Sequence, residues 1–269
     1  MKPSIIANWK YQKPTKGGGR GLKSLLKYTS YREDPEHAAL PLSERWTDCG
    51  LGSNWREVWA NCQRWAGPYV LAHHLVIAPA PDLVAFVPEE RRVELVRDVT
   101  ERVIERWHIE RGLNVPEYAY CVHDRDTNDS QIQNLHTHVF VAGTIENNLG
   151  ERESHRVNRE QVVADPKSLA RTDNLHHIAR EEFEHLLDRT LDLDWRAERE
   201  LQLAREEVRQ GVDQELDFDD DVAPKKVHRQ RERGRNVELS SIAQQEQERE
   251  IEPPTLTISN SFPDWDIDL

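Results

Sequence analysis

Hydrophobic residues along this chain follow two patterns, and each pattern predicts a different element. Stretches rich in β-branched and aromatic residues predict strands at 4–9, 69–78, 115–123 and 135–144. Stretches with hydrophobic residues three and four positions apart predict helices at 22–32, 54–65, 88–111 and 164–195. Residues 33–53 contain prolines and glycines and are predicted to form a loop. This order predicts an α+β fold, with a central antiparallel or mixed sheet and helices packed on one face.

The composition changes toward the end of the chain. Residues 198–215 carry many charged side chains in a helical pattern, and the sequence from residue 217 onward is typical of disorder. We therefore predict a folded domain at 1–195, a charged helical extension at 196–216 and a disordered tail at 217–269. The tail contains a basic cluster at 225–235, which suits either contact with nucleic acid or a solvated linker.

Charge is distributed unevenly. The 269 residues have a formal net charge of −13, which argues against a general nucleic-acid coat protein. The first 35 residues nevertheless have a net charge of +6, whereas residues 201–269 have a net charge of −8. Four glycines lie between positions 17 and 21 of this basic N-terminal segment. The segment could hold a phosphate backbone or form a flexible basic loop. Its candidate DNA-binding residues are Lys13, Lys16, Arg20, Lys23, Lys27 and Arg32.

The cysteines and the hydropathy of the chain predict where in the cell the protein is located. The three cysteines lack C-x-x-C spacing, so a disulfide framework or a cysteine zinc site is not expected. The sequence contains no hydrophobic run long enough to span a membrane, and its N-terminus lacks a signal-peptide core. We predict a cytoplasmic protein without membrane insertion.

The segment 115–144 carries the clearest candidate chemistry. It reads as two strands joined by a polar loop. His136 and His138 share one face of the second strand because side chains alternate along a strand. If the two strands pair antiparallel, His123 at the end of the first strand lies near His136. Three imidazoles at one end of a hairpin would form an open metal site, although a His-x-His pair also occurs without any metal.

An upstream helix supplies candidate nucleophiles. Tyr28 and Tyr31 lie three residues apart on the helix at 22–32, so both can reach one neighbourhood. A metal ion with open positions can stabilise charge on a phosphate oxygen, and a tyrosine hydroxyl can attack the phosphorus. One phosphodiester then replaces another, which favours nicking and rejoining of single-stranded DNA without ATP.

The residues His136-Thr137-His138, preceded by His123, resemble the His-hydrophobe-His motif of the HUH endonucleases. The segment LKSLLKYTSYRE, at 22–33, is similar to the segment of plasmid mobilisation relaxases in which a short helix carries the catalytic tyrosine. Replication initiators and transposases of this chemistry place the tyrosine after the histidine pair, and this chain has no tyrosine after Tyr120. The resemblance covers about residues 1–190 and implies a relaxase fold.

This resemblance also implies roles for individual residues. His123, His136 and His138 would bind a divalent metal ion, Mg²⁺ or Mn²⁺. Tyr28 would be the nucleophile, with Tyr31 as its rival because of the spacing to the following Arg32. The chain departs from the family at Thr137 and Ala142, where a larger hydrophobic residue and an Asn are usual. The family's aspartate is displaced here to Asp124 or Asp126, which would orient a ligand histidine or accept the tyrosine proton.

The function implied is that of a relaxase that nicks single-stranded DNA at an origin of transfer and holds the 5′ end on tyrosine. Three alternatives stay open at this stage. They are a replication initiator or transposase, a catalytically inactive module that binds DNA, and a metal-dependent hydrolase without a covalent step. The acidic and aromatic end of the chain suits docking to an accessory mobilisation or coupling protein, or a solubilising role.

Overall fold

The structure is a computed structural model that describes residues 3–14, 20–31, 40–41, 44–124 and 134–219. Side chains are described as far as residue 208, except for that of Arg20. Lys16, Arg32, Asp126 and the predicted tail from residue 220 onward lie outside the described residues. Contacts divide the chain into a unit Met1–Val208, which contains every feature discussed below, and a unit Arg209–Leu269. The predicted domain boundaries at 195 and 216 stay predictions.

Five strands form one sheet in which every pairing is antiparallel, in the order β1-β3-β5-β4-β2. A separate hairpin of two short strands, β6 and β7, follows β5. The strand bounds are β1 Ile5–Gln12, β2 Trp46–Cys49, β3 Ala72–Pro79, β4 Tyr118–His123, β5 His136–Ala142, β6 Thr144–Glu146 and β7 Arg152–Ser154.

Seven α-helices and one short 3₁₀ helix, Arg159–Gln161, accompany these strands within the described residues. None of them combines the length and the hydrophobicity that crossing a membrane requires. The helix bounds are α1 Arg20–Tyr31, α2 Trp55–Arg64, α3 Pro81–Val84, α4 Glu89–Glu110, α5 Pro166–Leu169, α6 Leu175–Thr190 and α7 Trp195–Asp219.

The predicted α+β class with an antiparallel sheet is confirmed, but helices cover both faces of the sheet rather than the one face predicted. One face packs Val139 and Val141 of β5 against α4 and α6. The opposite face packs Phe140 against Leu22 and Leu26 of α1 and against hydrophobic residues of α2. The two central strands explain this arrangement, because nearly all their side chains are buried whichever face they point to. A sheet with two hydrophobic faces must be covered on both sides.

Two predicted elements differ from the structure. The region predicted as a loop at 33–53 contains β2, whose Trp46 packs into the core and pairs with Cys121 of β4. The single helix predicted at 164–195 is divided into α5, α6 and the first residue of α7. Short polar side chains cause the division, because Asp165 and Asn174 accept hydrogen bonds from backbone amides and cap new helices.

Gly143 lies at a close crossing of two backbone segments, directly after β5. A Cβ atom added there would lie 1.9 Å from the carbonyl oxygen of Val70, so any side chain must displace backbone. We expect Gly143→Ala to lower the free energy of unfolding by about 2 kcal/mol, the usual cost of overpacking. Urea denaturation followed by circular dichroism measures this change.

Gly21 in α1 provides the matched control. Its added Cβ would meet only the Oε1 atom of Gln12, at 3.8 Å, and Ala is favoured over Gly inside helices. Gly21→Ala should therefore stabilise the protein by about 0.5–1 kcal/mol. Equal effects of the two substitutions would contradict the backbone crossing.

Candidate metal centre

Three histidine side chains meet on one face of the sheet, at the ends of β4 and β5. The register pairs His123 directly with His136, and it pairs Cys121 with His138. Side chains of directly paired residues lie on the same face, so all three rings point toward α1. Their ligand nitrogens lie within 4.8 Å of one another, and the ring centroids are 4.6–5.4 Å apart. The predicted convergence of the three imidazoles is confirmed.

Backbone carbonyls set the orientation of two of these rings. Nδ1 of His136 lies 2.9 Å from the carbonyl oxygen of Asn134, and Nε2 of His123 lies 2.5 Å from that of Thr29. A carbonyl oxygen only accepts hydrogen bonds, so the facing ring nitrogen is the donor. While these bonds are kept, a metal ion would be bound through Nε2 of His136 and Nδ1 of His123.

The third ring is held by a fourth histidine, His74 of β3. Nε2 of His74 lies 2.9 Å from Nδ1 of His138, and the two ring planes are nearly parallel, with an interplanar angle of 3°. Burial, with a smaller effect from nearby Lys10, lowers the pKa of His74 to about 4. Neutral His74 can therefore accept the Nδ1 proton of His138, which directs Nε2 of His138 to a metal ion.

The donor set fits a divalent metal ion. His123 and His138 are buried and His136 is partly exposed, so the cluster has a protein side and a side toward solvent. Three imidazoles, with no fourth protein ligand among the described residues, suit transition metals and keep coordination positions for a substrate. Among the described residues, this is the one group of His, Cys, Asp and Glu side chains with a geometry suited to a metal.

The residue between the two histidines of β5 has a structural role on the other face. Thr137 is fully buried, and its hydroxyl lies 2.8 Å from that of Thr100 on α4. The Thr100 hydroxyl also donates a hydrogen bond to the carbonyl of Val96. The hydroxyl of Thr137 therefore fixes β5 against α4, which explains why a polar residue stands between the two histidines.

Helix α1 lies over the histidine cluster and carries both candidate tyrosines. Its contact with the cluster is the carbonyl of Thr29, next to Tyr28 in the chain. Tyr28 and Tyr31 are both about half exposed, with exposed fractions of 50% and 56%. The hydroxyl of Tyr31 accepts a hydrogen bond from Nε1 of Trp55, so this tyrosine is turned toward α2.

Two predicted DNA-binding lysines lie along the contact between α1 and α2. The ammonium group of Lys23 lies 4.6 Å from the ring centroid of Trp59, and that of Lys27 lies 5.0 Å from the ring centroid of Trp55. The guanidinium of Arg56 also stacks on Trp55, at 4.9 Å. These cation–aromatic contacts hold the charges on the side of α1 that faces α2, where Tyr31 also contacts Trp55.

The remaining predicted site residues are spread more widely. Asp124 follows His123 directly and is half-buried. Lys13 is exposed after the end of β1, and Arg20 begins α1. The structure thus brings together the three histidines and α1, whereas the roles of the aspartates and of the basic residues stay predictions.

The sequence pattern alone assigns no role to His74. The deciding fact is the register, in which His74 pairs with Phe140, two residues beyond His138 on the same face. Strand periodicity separates His73 from His74 but does not say which neighbour β3 has. A prediction of the strand order would have found this residue.

His74 should control metal affinity through His138. We expect His74→Phe to weaken Mn²⁺ binding by about 10- to 100-fold, the usual cost of losing a hydrogen-bond partner of a metal ligand. His74→Gln should restore part of the affinity, because its amide oxygen can accept the same proton. Isothermal titration calorimetry measures both, with the exposed His185 of α6, changed to Phe, as the control. Equal Mn²⁺ affinity in wild type and His74→Phe would disprove this role.

Comparison with known proteins gives one kind of match. No protein-family model matches the chain, and no curated protein matches it. Among solved structures, the chain is similar to the conjugative relaxase TrwC in a metal-bound complex with oriT DNA. The TM-score is 0.44 with 14% sequence identity, over 68% of this chain and 70% of that chain.

Proposed function

We propose that this protein is a metal-dependent nickase and strand transferase for single-stranded DNA, of the relaxase type. The observation that carries the proposal is the three-histidine cluster beneath α1, where the carbonyl next to Tyr28 contacts His123. A metal-ligating set and a half-exposed tyrosine in adjoining positions are the two parts that a phosphotyrosine transfer requires.

The reaction exchanges one phosphodiester for another. The Tyr28 oxygen forms a bond to phosphorus, the bond from phosphorus to the 3′ oxygen breaks, and the DNA 5′ end stays on the tyrosine. The tyrosine proton passes to a nearby base, for which Asp124, next to the cluster, is the candidate in the described part of the chain. The leaving 3′ oxygen takes up a proton, and the reverse sequence rejoins the strand.

The three histidines would hold a divalent ion, for which we propose Mn²⁺ or Mg²⁺. Such an ion, when bound, supplies positive charge to a non-bridging phosphate oxygen. The chain's own contribution is orientation, because the carbonyls of Thr29 and Asn134 and the ring of His74 fix the three imidazoles.

Single-stranded DNA would approach along α1. A cavity of about 530 Å³ beside the end of α1 is lined by aromatic side chains, including those of Tyr31, Trp46 and Trp55, and by Arg56. Aromatic rings beside cations suit stacked bases and their phosphates. We propose an origin of transfer as the natural DNA site, and an accessory mobilisation or coupling protein as the partner of the acidic C-terminal end.

A covalent-adduct assay tests the proposal. The full chain is incubated with Mn²⁺ and a randomised pool of single-stranded oligonucleotides, and its peptides are analysed by mass spectrometry. We expect a nucleotide-bearing peptide that contains Tyr28 and that disappears when EDTA is added. An adduct on Tyr31 would keep the reaction type and change the nucleophile. Metal-independent DNA binding without any adduct would instead support the inactive binding module.

A further inference from the structure

A second cavity lies on the opposite face of the sheet from the histidine cluster and near the opposite end of β5. It has a volume of about 600 Å³, within the usual range of ligand pockets. Trp9 and Tyr11 of β1 and the exposed Tyr69 contribute aromatic surface to it. The ring centroids of Trp9 and Tyr11 are 5.6 Å apart, and Trp9 also packs against His73, at 5.4 Å.

The wall of this cavity contains an unpaired acceptor on His73. Its side chain lines the cavity and is 1% exposed, and its Nε2 atom lies 3.0 Å from the carbonyl oxygen of His155. That carbonyl only accepts, so Nε2 carries the proton. Burial lowers the pKa of His73 to about 4, so the ring is neutral near pH 7 and Nδ1 holds a lone pair. In the described part of the chain, this Nδ1 atom has no hydrogen-bond partner.

Trp9 offers a donor at the same cavity. Its Nε1 atom is buried and, among the described residues, lacks a hydrogen-bond partner. Buried polar groups are normally hydrogen-bonded, because leaving one unpaired costs free energy. A nucleobase carries hydrogen-bond donors and acceptors along the edge of a flat ring. The unpaired acceptor and the unpaired donor match this edge, and the aromatic surface matches the face of the ring.

The charge around the cavity also suits a nucleotide. Lys13 and Arg156 line it and are exposed, and Arg111 lies behind His155 with Nη1 3.1 Å from its Nε2. The described residues that line the cavity include no Asp or Glu, although the chain has a net charge of −13. Cations at the rim can contact a phosphate while the base stacks on the aromatic surface.

We propose that this cavity binds one unpaired base of single-stranded DNA and thereby contributes to sequence preference. The inference rests on the proposed function, and it adds a base-recognition site that is separate from the histidine cluster. Strand β1 forms the edge of the sheet between the two sites. Its exposed Lys10 pairs with His74 on the cluster face, and Lys13 lies at the cavity. A DNA strand can therefore follow cations around this edge from one face to the other.

Equilibrium binding without metal tests the cavity independently of catalysis. The probes are fluorescein-labelled dT20, dC20 and dA20, measured by anisotropy with the full chain in EDTA. We expect wild type to prefer one of the three, because an acceptor and a donor at fixed positions discriminate between bases. Tyr69→Ala and Arg156→Ala should each lower the affinity for the preferred probe by about tenfold, which is a typical loss for one stacking or charge contact. His73→Phe should reduce the difference in affinity between the preferred probe and the other two probes.

The controls use equally exposed residues away from the cavity. Leu149→Ala at the β6–β7 turn matches Tyr69→Ala, and Arg189→Ala on α6 matches Arg156→Ala. Unchanged affinity in Tyr69→Ala and Arg156→Ala, or no binding by wild type, would overturn the cavity proposal. Competition by micromolar dAMP would also overturn it, in favour of a free nucleotide. The covalent adduct on Tyr28 is measured separately, so failure of either proposal leaves the other testable.

Discussion

Tyr28→Phe is expected to abolish the covalent DNA adduct, with a loss of roughly 10³-fold or more, because the nucleophilic oxygen itself is removed. The fold should be unaffected, since half of this side chain is exposed and Phe keeps the ring. The measurement is the yield of nucleotide-bearing peptide by mass spectrometry, with Mn²⁺ and a randomised oligonucleotide pool.

The geometry of α1 explains why Tyr28, and not Tyr31, is expected to react. The buried side of the helix is formed by Leu22, Leu26, Thr29 and Ser30. With 100° per residue, Lys23, Lys27 and Tyr31 lie on the flank that contacts α2, whereas Tyr28 lies on the flank away from α2. The chain at Tyr28 also adjoins the carbonyl of Thr29, which contacts His123.

Tyr31→Phe is the matched control for this prediction. It lies on the same helix with nearly the same exposure and loses only the hydrogen bond from Trp55. We expect Tyr31→Phe to keep most of the adduct yield. Full yield in Tyr28→Phe together with loss in Tyr31→Phe would assign the nucleophile to Tyr31. Full adduct yield in the double variant, with Tyr28→Phe and Tyr31→Phe, would show that neither tyrosine is the nucleophile.

Local sequence pattern was sufficient to predict the histidine cluster. Alternation along β5 places His136 and His138 on one face, and a hairpin with β4 brings His123 beside them. These are neighbouring strands in the chain, so the prediction needed only one antiparallel pairing. The helix at 22–32 was predicted for the same reason, because its hydrophobic stripe lies within twelve residues.

Features that depend on contacts between distant segments were not predicted. His74 acquires its role only because β3 lies beside β5, a pairing over a separation of about 60 residues. The cover of the second face by α1 and α2 requires knowing that β4 and β5 are central strands, buried on both sides. The short strand β2 has four residues, and its place is set by pairing with β4 rather than by its own pattern.

His136→Ala is expected to remove metal binding and, with it, adduct formation. Loss of one of three imidazoles leaves two protein ligands, so Mn²⁺ affinity should fall by at least about 100-fold. Wild type should gain about 2.7 kcal/mol of stability at a Mn²⁺ concentration 100 times the dissociation constant, because the ion binds the folded state. His136→Ala should show no such gain in thermal denaturation.

His136 is the most informative member of the cluster because it is partly exposed, whereas His123 and His138 are buried. Its replacement should therefore change the metal-free stability by less than about 1 kcal/mol, so that loss of metal is separable from loss of fold. His185→Ala on the exposed side of α6 serves as the matched control and should behave like wild type. A Mn²⁺-dependent rise in melting temperature that persists in His136→Ala would place the metal elsewhere, and the phosphotyrosine reaction would then have to be assigned to another site.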